Sequence, residues 1–229
     1  MRYNEIIEAA TFKSTLNKIL LECSEICSIY KQSGNILLRG MKSQTKSILS
    51  LSARTDRKPK DSPETFHNAL NRWFEKHGYI ANRSNGVFCS SNINILRPYY
   101  NRDKYGAMTT GLYMIFPKNG FHFTWLEDCS DLYLARGNFY SNMKKIYQRF
   151  DDDDWHDDTE YNTVLSQYPI EIQDDAIDQL MDRYKPRKDD ITAAIKSGNE
   201  IIIVGDYYAV AVNSTYGMII KETILGKGE

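Results

Sequence analysis

Apolar residues recur at spacings of three and four through Ile6, Ala10, Leu16, Ile19, Leu20, Cys23, Ile26, Cys27 and Tyr30. That period predicts one amphipathic helix over residues 5–31. The polar triplet Ser33-Gly34-Asn35 then predicts a turn, and Ile36-Leu37-Leu38-Arg39 a short buried strand. Residues 42–60, rich in Ser, Thr, Lys and Arg, read as a loop. A helix over 63–77 follows from Ser62 at the N-cap, Pro63 at the first helical position and the stripe Phe66, Ala69, Leu70, Trp73, Phe74, with Gly78 as the stop.

The pattern then shortens to that of strands. Residues 79–82 and 87–90 flank the turn Ser84-Asn85-Gly86. Residues 112–116 and 121–125 flank Pro117-Lys118-Asn119-Gly120, and 200–204 and 207–212 flank Gly205-Asp206, both as hairpins. Helices are expected over 138–149, 171–184 and 188–196, and a last strand over 216–224. Helices lead and strands cluster after them, which predicts an α+β class. A length of 229 residues suits one domain over 1–229, with an N-terminal helix over 1–31 and an α+β core over 36–225.

Charge alters this picture more than composition does. The chain is balanced, with 29 Lys+Arg against 30 Asp+Glu, yet residues 31–104 carry 14 basic and 5 acidic residues. Residues 151–182 carry 12 acidic residues and no Lys or Arg. The two stretches either face each other, solvate the surface, or give a basic face suited to phosphate-bearing ligands. The apolar runs are too short for a bilayer span, and the N-terminus lacks an export-signal pattern. The expected compartment is a reducing cytosol, with Cys23, Cys27, Cys89 and Cys129 as buried thiols. The four histidines show no ligand spacing, and the run Asp151–Asp154 lacks the Gly and Glu of a calcium loop, so no metal is expected.

Three strand-associated segments carry candidate chemistry. Arg39 ends an apolar strand and precedes Gly40; a charge there needs a carboxylate or an anionic ligand as partner. Phe88-Cys89-Ser90-Ser91-Asn92 places serines at a strand end, and Glu200 opens Ile201-Ile202-Ile203-Val204. In this order, the three resemble the arginine–serine–glutamate pattern of ADP-ribosyltransferases related to the cholera-type and clostridial toxins. Segments such as RTDRKPKD (54–61), RSNGVF (83–88), Tyr105-Gly106 and Ile115-Phe116-Pro117 also resemble uncharacterised proteins encoded in bacteriophage genomes.

The resemblance implies a split β-sheet core behind an N-terminal helical layer, and a cytoplasmic transferase that consumes NAD. It implies transfer of ADP-ribose to a macromolecular acceptor, nucleic acid or protein, in a phage effector or anti-phage toxin with a possible antitoxin or chaperone. Glu200 would stabilise positive charge developing on the ribose. Arg39 would hold the pyrophosphate or the adjacent ribose through its forked guanidinium. Ser90 would hold Glu200 or the ribose in register, and Gly40 would let the backbone approach the nicotinamide amide. Arg57 would support the phosphates, and Tyr105 would stack on the nicotinamide. Arginine-modifying members carry Glu two residues before the catalytic Glu; here that residue is Gly198, which argues against an arginine acceptor. Asn199 is expected on the face of the strand opposite Glu200. The rival readings are an NAD glycohydrolase and a non-catalytic phage structural or binding protein.

Overall fold

The segments rich in β-branched and aromatic residues form two four-stranded antiparallel sheets. The computed structural model describes residues 3–42, 46–58, 62–97, 110–147 and 168–226. Sheet one has the order β1 (Leu38–Lys42), β4 (Thr110–Pro117), β8 (Asp206–Ala211), β2 (Ile48–Ser52). Sheet two has the order β3 (Val87–Cys89), β7 (Ile201–Val204), β5 (His122–Leu126), β6 (Pro186–Arg187). The helices are α1 (Tyr3–Glu22), α2 (Ser24–Ser33), α3 (Glu64–Lys76), α4 (Ile93–Leu96), α5 (Arg136–Tyr147), α6 (Ile170–Tyr184), α7 (Ile191–Ser197) and α8 (Thr215–Leu225). The class is therefore α+β. Among the described residues, no helix is long and apolar enough to cross a membrane.

Strand alternation divides the interior. Ile201 and Ile203 point into one cluster with Tyr113, Ile115, Val210, and Ile26 and Tyr30 of α2. Ile202 points the other way, into a cluster with Phe66, Leu70 and Phe74 of α3, Phe139 of α5 and Leu180 of α6. Sheet two is thus buried on both faces, which explains the unbroken apolar run of β7. All four cysteines are free and buried.

The expected helix over 63–77 is observed as Glu64–Lys76, with Phe66, Ala69, Leu70, Trp73 and Phe74 buried. Its cap differs: Pro63 occupies the N-cap, with no side-chain cap hydrogen bond. The single N-terminal helix is two helices meeting at Cys23, whose φ of −119° and ψ of 26° interrupt the helical geometry. The first expected strand begins two residues later, at Leu38, and runs on to Lys42, so Arg39 lies inside it and does not end it; Ile36 and Leu37 are buried as expected.

Four expectations are overturned. The polar stretch 42–60 contains β2, where Ser50 and Ser52 are exposed and Leu49 and Leu51 half-buried, the alternation of an edge strand pairing with β8. Residues 79–82 form no strand. Residues 216–224 are helical, not extended: the Ser214 hydroxyl accepts from the Gly217 N–H at 2.9 Å, and Gly217, Ile220 and Ile224 are buried at helical spacing. Neither expected hairpin pairs with itself. β4 and β5 are consecutive but lie in different sheets, as do β7 and β8. Gly205, at φ +128°, is the lone residue between β7 and β8, too short a link for a hairpin. Both links instead carry the chain from one sheet to the other, and the Lys118 N–H donates to the Asp206 carbonyl at 2.8 Å between them.

The charge asymmetry is partly internal. Arg72 on α3 meets Asp174 on α6 at 2.8 Å, Lys76 lies 4.0 Å from Asp178, and the Trp73 indole N–H donates to Asp178 at 2.7 Å. Basic and acidic stretches therefore face each other at the α3–α6 contact. Asp151–Glu160 lies outside the described residues.

Candidate active site

An isolated bridge ties the two sheets together at Leu38 and Ser90, and the three candidate segments meet beside it. Leu38 and Ser90 exchange backbone hydrogen bonds of 2.8 and 3.0 Å, linking β1 to the end of β3. Arg39 follows Leu38 and pairs in register with Tyr113 of β4. Its Nη1 donates to the Phe88 carbonyl at 3.2 Å. Ser90 is 1% exposed; its Oγ donates to the Gly198 carbonyl at 2.6 Å and accepts from the Asn92 N–H at 2.9 Å. The serine therefore holds the segment leading into Glu200 through a backbone carbonyl, and no hydrogen bond joins it to the carboxylate.

Glu200 immediately precedes β7, and its N–H donates to the Ser130 carbonyl at 2.9 Å. Its Oε1 lies 3.8 Å from Nη1 of Arg83. Burial pushes the Glu200 carboxyl up to about 7. Asp131 pushes it the same way, while Arg83, Arg57 and Arg39 oppose the rise.

Arg83 and Arg57 both lie over the Phe88 ring, at 4.9 and 4.2 Å from its centroid. The Arg83 backbone N–H donates to Asn71 Oδ1 at 3.0 Å, and the Arg57 N–H to the Ser84 carbonyl at 2.9 Å. His67 on α3 reaches Ser84 Oγ at 3.2 Å. Burial first, then Arg83 and Arg57, lower its pKa to about 4, so the imidazole is neutral at pH 7. Across the cleft, Asp131 is buried and accepts from the Tyr133 N–H at 2.8 Å.

These groups enclose a cleft of about 360 Å³, within the size range of small-molecule sites. Arg39, Gly40, Arg57, Ser90 and Glu200 all line it. Tyr105 lies outside the described residues. The cleft aromatics are Phe88 and Tyr133. Sequence reasoning did not place Asp131, His67 or Tyr133 in this cleft, and Arg83 entered that reasoning only as one of the basic residues of 31–104 and the first residue of RSNGVF (83–88).

The residue two places before Glu200 is held to glycine by its surroundings. Gly198 is the C-cap of α7 at φ +73°, and a Cβ there would stand 3.0 Å from Cβ of Asn92. Asn199 is turned away as expected, its Nδ2 donating to the Leu126 and Glu127 carbonyls at 2.9 Å each. Among the described residues, no group of three His, Cys, Asp or Glu side chains is arranged to hold a metal ion. Comparison of the chain with protein-family models, curated proteins and solved structures finds no match.

Proposed function

We propose that this chain is a mono-ADP-ribosyltransferase that takes ADP-ribose from NAD and passes it to a macromolecule, releasing nicotinamide. The observation that carries this reading is the meeting of Arg39, Ser90 and Glu200, drawn from distant stretches of chain, on one cleft. Nicotinamide leaves as a neutral base when the bond from its ring nitrogen to ribose C1′ breaks, with the bonding electron pair. Positive charge then develops on the ribose, and a buried carboxylate beside it is worth more than one in water. Arg39 supplies a forked donor to the pyrophosphate, with Arg57 in support. Ser90 acts at a distance, by fixing the Gly198–Glu200 segment. The setting, a bacteriophage-infected cell, is drawn from the sequence resemblance.

A second reading, NAD glycohydrolase with water as acceptor, is favoured by Gly198: no carboxylate stands two residues before Glu200 to activate a macromolecular acceptor. Incubation with NAD separates the readings. Nicotinamide release with label on protein or nucleic acid supports the transferase; free ADP-ribose supports the hydrolase. No turnover and no NAD-induced rise in melting temperature leaves a non-catalytic protein. Glu200→Gln should retain the fold and lose at least about a hundredfold in turnover. Full activity in that variant would reject the site.

A further inference from the structure

We propose that Arg83 and Glu200 bracket a single ligand hydroxyl, which makes Arg83 the residue that selects a ribose bearing its 2′-hydroxyl. The inference rests on the NAD reading above. Nη1 of Arg83 and Oε1 of Glu200 stand 3.8 Å apart, too far for a direct hydrogen bond. An oxygen about 2.8 Å from both atoms closes that gap. Three atoms in this corner, Arg83 Nε, Arg83 Nη1 and Glu200 Oε1, are buried without a hydrogen-bond partner. Buried polar groups are normally satisfied, by water where nothing else reaches them, so a polar oxygen belongs in this corner.

The chemistry of the occupant follows from the two sides. Arginine only donates, and an ionised carboxylate only accepts. One atom must therefore accept from the first and donate to the second. A phosphate oxygen is repelled by the carboxylate, and an ammonium has no lone pair for the guanidinium; a hydroxyl does both, as does the water that a ligand hydroxyl would displace. Neither side is loose. The Arg83 backbone is tied to Asn71, its guanidinium lies over Phe88, and Glu200 is held through its own N–H to the Ser130 carbonyl. Under the NAD reading, Glu200 stands beside the ribose whose C1′ bond breaks, and the hydroxyl adjoining C1′ is the 2′-hydroxyl.

The test compares NAD with its analogue lacking the 2′-hydroxyl on the nicotinamide ribose, by calorimetry in the cold before turnover. The wild-type chain should prefer NAD by roughly 10- to 100-fold, the scale of a hydrogen bond to charged groups. In Arg83→Met, which keeps an unbranched stem against Phe88, that preference should fall below about threefold. Arg83→Lys, which keeps the charge and loses the fork, serves if the Met variant melts early, and should also lose most of the preference. NAD binding with no preference in the wild type, or an unchanged preference in the variants, overturns the bracket alone. No NAD binding at all overturns the NAD reading and the bracket with it.

A second readout does not depend on NAD. The charged groups facing Glu200 are Arg83, Arg57, Arg39 and Asp131, while the nearby thiols of Cys89 and Cys129 and the His67 imidazole are neutral at pH 7. Carbon NMR of the Glu200 carboxyl should show its midpoint rising from about 7 when Arg83 becomes Met. An unmoved midpoint overturns the pairing.

Discussion

Glu200 and His67 act on stability with opposite signs. Burial lets the Glu200 carboxyl keep its proton up to about pH 7, whereas the unfolded chain releases it near 4.5. Its contribution is full below about 4.5 and is lost as pH rises through about 7. Glu200→Gln carries no such loss. Melts of the two proteins should coincide near pH 4.5 and diverge above 7, the Gln variant leading by on the order of 3 kcal/mol. Parallel curves across that range would contradict the buried carboxyl. The carboxylate is also the working form in the proposed chemistry, so nicotinamide release should climb roughly tenfold between pH 6 and 8; a flat profile denies Glu200 its role. His67 titrates near 4 in the fold against 6.5 in the unfolded chain. Its contribution is present above 6.5 and lost as pH falls through 4. His67→Gln should flatten the acid side of the stability curve, and an unchanged acid limb would place the acid sensitivity elsewhere.

Helices were read from sequence more faithfully than strand partners. α3 announces itself because its period, its Pro63 and its Gly78 all act within one stretch of chain. α8 was mistaken for a strand because Tyr and Ile favour extended backbone; the Ser214 cap and the buried Ile220–Ile224 face outweigh that preference. The link from α7 into β7 shows how an element boundary constrains chemistry. Gly198→Glu would place a second carboxylate two residues before Glu200, but at φ +73° and against Asn92. We expect it to cost about 1–3 kcal/mol from backbone strain alone, seen as a lower melting temperature, with no gain of arginine-directed transfer. An unaltered melting temperature would show that the link is not strained by a side chain.

At the scale of the molecule, β7 divides the two apolar clusters while leading directly out of the site. Ile202→Ala removes a side chain buried between Gly86 and the α3–α5–α6 cluster, and should cost about 2–5 kcal/mol. Loss of secondary structure and release of Trp73 should shift together in denaturant; a shift in one alone would mean that the clusters unfold separately. The linear order of residues did determine the α+β class, the buried thiols, the stripe of α3, and the placing of Ser90 and Glu200 at strand ends. These follow from periodicity and local backbone chemistry, which act over a few residues. Tertiary structure alone decided that consecutive strands pass between sheets and that Arg83 forms the ion pair with Glu200. It also decided that β2 lies inside a polar stretch. Strand partners and charge pairs are chosen by burial and contact between segments far apart in the chain, and no local period records that choice.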